Sequence, residues 1–299
     1  MRARIYIILS LMMSLMMLTT VLSAQPLHRV GFGVSAGAGT LFGDSTLTNR
    51  WGPTVGIEGY YACLFQLGKS DVWLGPRTGF EVSWLMSGWS LEASERFTNK
   101  DYQGYDVNYT VTANVRETHH QLALSIPLMA ALRYKGFVAG VGIKAQAVVW
   151  NTCKTELSDL DVTAYYPQLD VSFHNEPFLG SMSQEQTSVS GARKTPEWHV
   201  AAAVEAGYEW ELNDNRFLGI RLFADYDVWN SFKHEAGTLD RAVVIEPIQA
   251  ASQPAKTSLV PLCESVVPRF SALRVGVTFS YTFDIQGATR HHGCNCLKY

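Results

Sequence analysis

The stretch Leu273-Arg274-Val275-Gly276-Val277-Thr278-Phe279-Ser280-Tyr281-Thr282-Phe283 decides the fold of this chain. Leu273, Val275, Val277, Phe279, Tyr281 and Phe283 take alternate positions, and Arg274, Gly276, Thr278, Ser280 and Thr282 fill the gaps. A period of two sends successive side chains to opposite faces of a strand. One face here is wholly apolar and the other is polar or small.

The same period recurs upstream. Residues 216–230 set Leu218, Ile220, Leu222, Ala224, Tyr226 and Val228 against Gly219, Arg221, Phe223, Asp225 and Asp227. Residues 197–212 set Trp198, Val200, Ala202, Val204, Ala206, Tyr208 and Trp210 against His199, Glu205, Gly207 and Glu209. Extended along the chain, the pattern gives eight strand candidates: 28–40, 52–67, 72–88, 114–134, 137–151, 197–212, 216–230 and 269–283. The connections after the second, fourth and sixth are tight, with turn chemistry at Gly68-Lys69-Ser70-Asp71, Lys135-Gly136 and Asn213-Asp214-Asn215. Those after the first, third, fifth and seventh are long. Short turns on one side and long loops on the other are the asymmetry of outer-membrane barrels. The expectation is an all-β, eight-stranded antiparallel transmembrane β-barrel with short periplasmic turns and long extracellular loops.

Composition agrees. The first 24 residues read as a cleavable leader: Arg2 and Arg4, an apolar run from Ile5 to Leu22, then Ser23-Ala24 before Gln25. Beyond Ala24 no stretch approaches the roughly 20 continuous apolar residues that a spanning helix needs. Yet 47% of the chain is hydrophobic and only 17% charged, so its apolar surface must be buried by strands. The net charge of −3, with no basic run, argues against a nucleic-acid partner. The expected organisation is a leader over 1–24, a barrel over 25–283 and a periplasmic tail over 284–299. Five cysteines with irregular spacing form no disulfide framework.

Across all eight candidates the apolar face carries no Asp, Glu, Lys or Arg. A basic residue facing lipid near the midplane costs about 2–4 kcal/mol. Parity alone does not say which face points outward, since a soluble barrel or sandwich also alternates. The polar face, however, is rich in glycine, including Gly31, Gly33, Gly37, Gly140, Gly142, Gly207, Gly219 and Gly276. Glycine weakens a strand, but a narrow lumen needs small residues where long ones cross it. That face also carries Glu58, Arg77, Glu81, Arg133, Lys144, Glu205, Glu209, Arg221, Asp225 and Arg274. Charges of both signs enclosed together should pair into an ion-pair network that plugs the lumen. Trp84, Tyr134, Trp198, Trp210, Tyr281 and Phe283, with Phe270, fall near strand ends, as an aromatic girdle requires.

Ile126-Pro127-Leu128, Arg133-Tyr134, the turn at Gly136, Gly140-x-Gly142 and the aromatic end Tyr281-Thr282-Phe283 resemble the outer-membrane β-barrel domain family of Bacteroidota, whose architecture is that of small OmpA/OmpX-type barrels. The resemblance covers roughly residues 28–283. It implies fold and an outer-membrane location far better than activity. Some barrels of this broad type are accessory subunits of secretion or gliding machinery. The tail after Phe283 departs from the family pattern.

Candidate chemistry is sparse. Small lipid-modifying barrels use a rim His and Ser facing lipid. His120 has lipid-facing parity, but two residues on stands Leu122, and Ser125 has lumen parity. Glu205 and Glu209 could share a proton, although Arg221 and Arg274 point to a structural network. His291-His292-Gly293-Cys294-Asn295-Cys296 holds soft metal ligands at poor spacing for one tetrahedral site. No cofactor is expected. The segments 153–195 and 231–268, with Tyr165-Tyr166-Pro167, Phe173 and Val243-Val244-Ile245-Glu246-Pro247-Ile248, are too long for idle loops and are the expected surfaces for a protein partner. The expectation is a non-enzymatic barrel that anchors a binding or assembly surface, rather than a lipid-modifying enzyme or a small-solute channel.

Overall fold

The alternation is built out as antiparallel strands in the computed structural model, which describes residues 26–42, 48–68, 70–101, 103–179, 181–192, 195–213, 215–231, 243–246, 256–259 and 271–285. The leader at 1–24, Phe270, most of 231–268 and the tail from Gln286 lie outside the described residues. The strands are β1 (Leu27–Phe42), β2 (Thr48–Arg50), β3 (Gly52–Gln66), β4 (Val72–Lys100), β5 (Asp106–Tyr134), β6 (Phe137–Tyr166), β7 (Val171–His174), β8 (Met182–Gly191), β9 (Glu197–Asn213), β10 (Arg216–Asn230), β11 (Val243–Glu246), β12 (Lys256–Leu259) and β13 (Ser271–Ile285).

Eight of them close on themselves. β1 pairs β3, which pairs β4, and the ladder continues through β5, β6, β9, β10 and β13. β13 then pairs β1 from His28↔Ile285 to Phe42↔Ser271. Closure leaves the ring with no free edge. The turn between β5 and β6 is the two-residue hairpin its sequence demands, with Lys135 at φ 47° and Gly136 at φ 87°.

The seam requires glycine in one place above others. Gly37 pairs Gly276 across β1 and β13, and a Cβ on Gly37 would sit 2.1 Å from the Val275 carbonyl oxygen. No rotamer change relieves a clash with backbone.

Three expectations are corrected by strand length. β4, β5 and β6 contain 29, 29 and 30 residues, against about 9–11 for a tilted membrane-spanning strand. The long loop expected after the third strand is therefore a hairpin, with β4 and β5 paired out to Lys100↔Asp106. Most of 153–195 is strand as well: β6 continues to Tyr166, and β7 and β8 pair back onto it. β13 runs to Ile285, past the Phe283 boundary. The period had been lost at two bulges. Val149 is skipped between Leu122↔Trp150 and Ala123↔Val148, and a second irregularity falls opposite Asp159, which has φ 54°. Each extra residue flips the parity, so alternation counted from one end fails beyond it.

Candidate functional site

The apolar face of the ring points outward. Leu222 is 63% exposed, Phe32 61% and Val141 59%, while Arg221, Asp225 and Arg274 are buried. A soluble barrel or sandwich would carry its apolar face inside.

The interior is filled by ion pairs. At the end near the Lys135-Gly136 turn, Arg29 donates to Glu209 at 2.8 Å and to Asp284 at 2.6 Å, and Arg133 to Asp284 at 3.3 Å. Midway, Arg77 forks onto both oxygens of Glu205, its Nη2 to Oε2 contact being 2.8 Å. Arg221 donates to Glu205 at 3.2 Å and to Glu58. Higher still, the Lys144 ammonium bridges Glu81 at 2.7 Å and Asp225 at 2.8 Å. Arg274 reaches Asp225 at 3.3 Å, Glu81 at 3.7 Å and the Ser83 hydroxyl at 2.7 Å. Six basic groups thus meet six carboxylates among the described residues. Charges removed from water are tolerated when every one is paired and hydrogen-bonded. Two aromatic rings brace the guanidinium groups: Tyr60 lies 4.9 Å from Arg77 and 5.0 Å from Arg221, and Phe217 lies 4.4 Å from Arg133 and 5.1 Å from Arg29.

All ten interior residues named from parity take part. Their pairing differs from expectation in one respect: Arg274 serves Asp225 and Glu81, while Glu209 belongs to Arg29. Two members escaped the reading. Arg29 has the right parity, two residues before Gly31, and Asp284 had been assigned to the tail. Glycines create the space, as at Gly31, where a Cβ would lie 2.3 Å from the Tyr60 ring. Two small voids lie among the described residues, of about 30 Å³ beside Arg29, Arg77 and Arg221 and about 20 Å³ beside Gln121, Gln146 and His199, room for a few waters at most.

Toward the other end the interior changes character. His199 Nδ1 lies 2.8 Å from Asp227, which also accepts the Ala272 N–H at 3.1 Å. His119 Nε2 meets Glu117 at 2.6 Å, and Glu117 accepts the Thr155 hydroxyl. Beyond this level the inward positions become apolar. Trp89, Val107, Val111, Val115, Leu157 and Val162 are buried in one cluster, and Trp89 donates to the Leu41 carbonyl at 2.8 Å. Burial, with Tyr166 close by, pushes the Tyr109 phenol up to about 12. The outward positions invert at the same height. Leu122, Leu124, Ile126 and Leu128 lie outward below it, with Thr118, Arg116, Asn114 and Thr112 above. The upper halves of β4, β5 and β6, with β8, form a blade that is polar outside and apolar within.

The rings Trp84, Tyr134, Trp198, Trp210, Tyr281 and Phe283 all face outward. Trp150, Trp229 and Trp51 join them at 47%, 45% and 54% exposure. Trp150 and Trp229 were missed because bulges reverse their parity. His120 lies on the outward face, 5.8 Å from the Trp84 ring, and Ser125 is buried on the inward one. They cannot act as a pair. Cys153 is disulfide-bonded, whereas Cys63 is free. The irregular spacing had not signalled that bond. The His/Cys tail lies outside the described residues.

The fold and its interior define a class: a closed, antiparallel, eight-stranded ring with an apolar exterior and a charge-filled interior. No family model matches the chain, and no curated protein does. Among solved structures it aligns with Ail, the attachment invasion locus protein of Yersinia pestis, at 8% identity and TM-score 0.23, covering 84% of this chain and 97% of that one. It aligns with the outer membrane protease OmpT of Escherichia coli at 9% and 0.24, covering 88% and 98%. The translocator domain of the autotransporter NalP from Neisseria meningitidis aligns at 7% and 0.19, covering 88% and 90%. Likeness at this level defines neither family nor activity.

Proposed function

We propose that the chain is a non-enzymatic outer-membrane β-barrel, of the kind found in Bacteroidota, delivered by cleavage after Ala24. Its ring is an anchor and its blade is a binding or assembly surface held outside the cell. One observation carries this reading: the polarity of both faces inverts at a single height. Below the inversion the exterior is apolar and the interior charged, the order suited to lipid. Above it the exterior is polar and the interior apolar, the order suited to water. A ring lying wholly in either solvent has no reason to change. Voids this small suit a plug rather than a pore.

Epitope tags at Gly104, in the β4–β5 turn, and at Gly68, in the β3–β4 turn, test the topology. On intact cells the Gly104 tag binds antibody and the Gly68 tag does so only after the membrane is opened. Both proteins shift in gel mobility on boiling. Labelling of Gly68 on intact cells reverses the orientation, and loss of heat-modifiability in both removes the barrel.

A further inference from the structure

At the far end of the blade, five large apolar side chains are exposed to solvent where an ordinary polar cap would suffice. Leu169 is 64% exposed, Phe178 54%, Tyr105 47%, Val171 40% and Leu179 37%. They come from three separate segments: the β4–β5 turn, the β6–β7 turn with the first residue of β7, and the short 3-10 turn Pro177–Leu179. The fold holds these segments together. Asn108 pairs Tyr165 across β5 and β6. With its amide turned to satisfy both contacts, Gln168 donates to the Asp106 carbonyl at 3.2 Å and accepts its N–H at 3.0 Å. The Tyr166 hydroxyl donates to the Leu179 carbonyl at 3.3 Å, and the Tyr166 ring meets Phe173 edge-on at 5.6 Å. The Asp101 carboxylate accepts the N–H groups of Gln103 and Tyr105, both at 2.9 Å. The apolar patch is therefore presented on fixed turns.

Exposed apolar groups clustered on a rigid tip mark a contact surface. The charges around them select its partner. Asp101, Asp106, Asp161, Asp170 and Glu176 lie on the same segments or beside them, all but Asp101 exposed. Among the described residues of the tip the basic group is Lys100, already 3.0 Å from Asp106. Asp170 accepts the Tyr165 hydroxyl at 2.9 Å, which keeps that carboxylate at the rim. An apolar centre within a carboxylate rim complements a segment with apolar side chains and a surplus of Lys or Arg. We propose that the blade tip docks a cationic, apolar-rich segment of a partner protein. This rests on the reading of the blade as a binding surface and adds the chemistry of what it binds.

The full-length protein in zwitterionic nanodiscs is titrated with a synthetic peptide of alternating Lys and Leu carrying one Trp. The controls are the same peptide with Glu for Lys and an uncharged oligosaccharide. The Lys peptide binds, raised salt weakens it, and the controls do not bind. Asp106→Asn with Asp170→Asn and Glu176→Gln weakens binding at least tenfold, and Leu169→Ser with Phe178→Ser does the same. Both variants keep the heat-shifted band, since the changes are exposed. Equal binding of the Glu peptide, preferential binding of the oligosaccharide, or indifference to both sets of substitutions overturns the proposal. If the Gly104 and Gly68 tags behave as expected while the peptide fails, the partner chemistry alone falls. Labelling at Gly68 instead removes the reading on which it rests.

Discussion

Replacing Arg221 by Met tests whether the interior is a dry ion-pair network. Met keeps most of the length of the side chain and deletes its charge. Glu205 retains Arg77, but Glu58 loses its ion-pair partner among the described residues. Orphaning a buried carboxylate costs about 3–5 kcal/mol. The Glu58 side chain keeps 13% exposure, which sets the expectation at the low end, about 3 kcal/mol. Losing the Tyr60 contact adds about 0.5–1 kcal/mol. For a chain of this size each kcal/mol moves the midpoint about 2–4 °C, so the combined loss should lower the heat-shift midpoint in detergent by about 7–16 °C. The second arm adds Glu58→Met to Arg221→Met. Removing both charges restores most of the loss, because the penalty is the stranded carboxylate and not the missing pair. Lys135→Met, which breaks an exposed 3.8 Å contact with Asp71, should cost under about 1 kcal/mol. An unchanged midpoint for Arg221→Met would mean that water reaches Glu58 freely. A loss that persists in the double variant would mean that packing, not charge, was removed.

Gly37→Val should abolish the heat-shifted band, because its Cβ meets backbone across the seam. Gly59→Ala, whose Cβ would find only the Phe32 ring at 3.6 Å, should leave that band intact. In planar bilayers the purified protein should show no steady conductance, and regular open-channel steps would refute the plug. Deleting 91–115 together with 155–190 should leave a heat-modifiable ring that no longer captures the blade's partner, and retained capture would move the function to the ring. Tyr109 has a folded pKa raised above its ordinary 10 to about 12. Its contribution to the blade is therefore complete below pH 10 and lost as pH rises toward 12. Phenolate absorbance should show a late-ionising tyrosine near pH 12 in the wild type that is missing in Tyr109→Phe.

The ring was legible in the sequence because every strand obeys one rule in one environment. From Leu273 to Phe283 each side chain meets either the exterior or the interior, and the polar positions of β3, β4, β5, β6, β9, β10 and β13 name most of the ion-pair network without coordinates. What could not be read was pairing. Arg274 and Glu205 share parity, yet height and register decide that Arg274 meets Asp225 and Glu81 instead. The blade was hidden for another reason. Its strand β6 continues through Val149 and Asp159, where extra residues reverse the parity, and in β4 and β5 the polarity of each face changes sign at nearly the same height. Val107, Val111 and Val115 carry a clear period of two, but with the apolar side now inward, which resembles the end of a strand when judged by the rule that holds below. Asp284 was lost for a simpler cause: a carboxylate just after an aromatic strand end reads as solvated, and only closure of β13 on β1 turns it toward Arg29.

The filled interior also constrains the order of events by which such a molecule is made. Voids of about 30 and 20 Å³ admit no polypeptide, extended or folded, so the finished ring offers the blade no route through itself. The upper halves of β4, β5 and β6, with β8, must therefore be on the far side before β1 and β13 zip together. With the ring in a membrane as proposed, their outward Thr, Asn and Arg side chains cannot slide through hydrocarbon afterwards. Closure from His28↔Ile285 to Phe42↔Ser271 is then the last step, with β1 and β13 as its latch. A defect at Gly37 should trap a molecule whose blade is already outside and whose ring stands open.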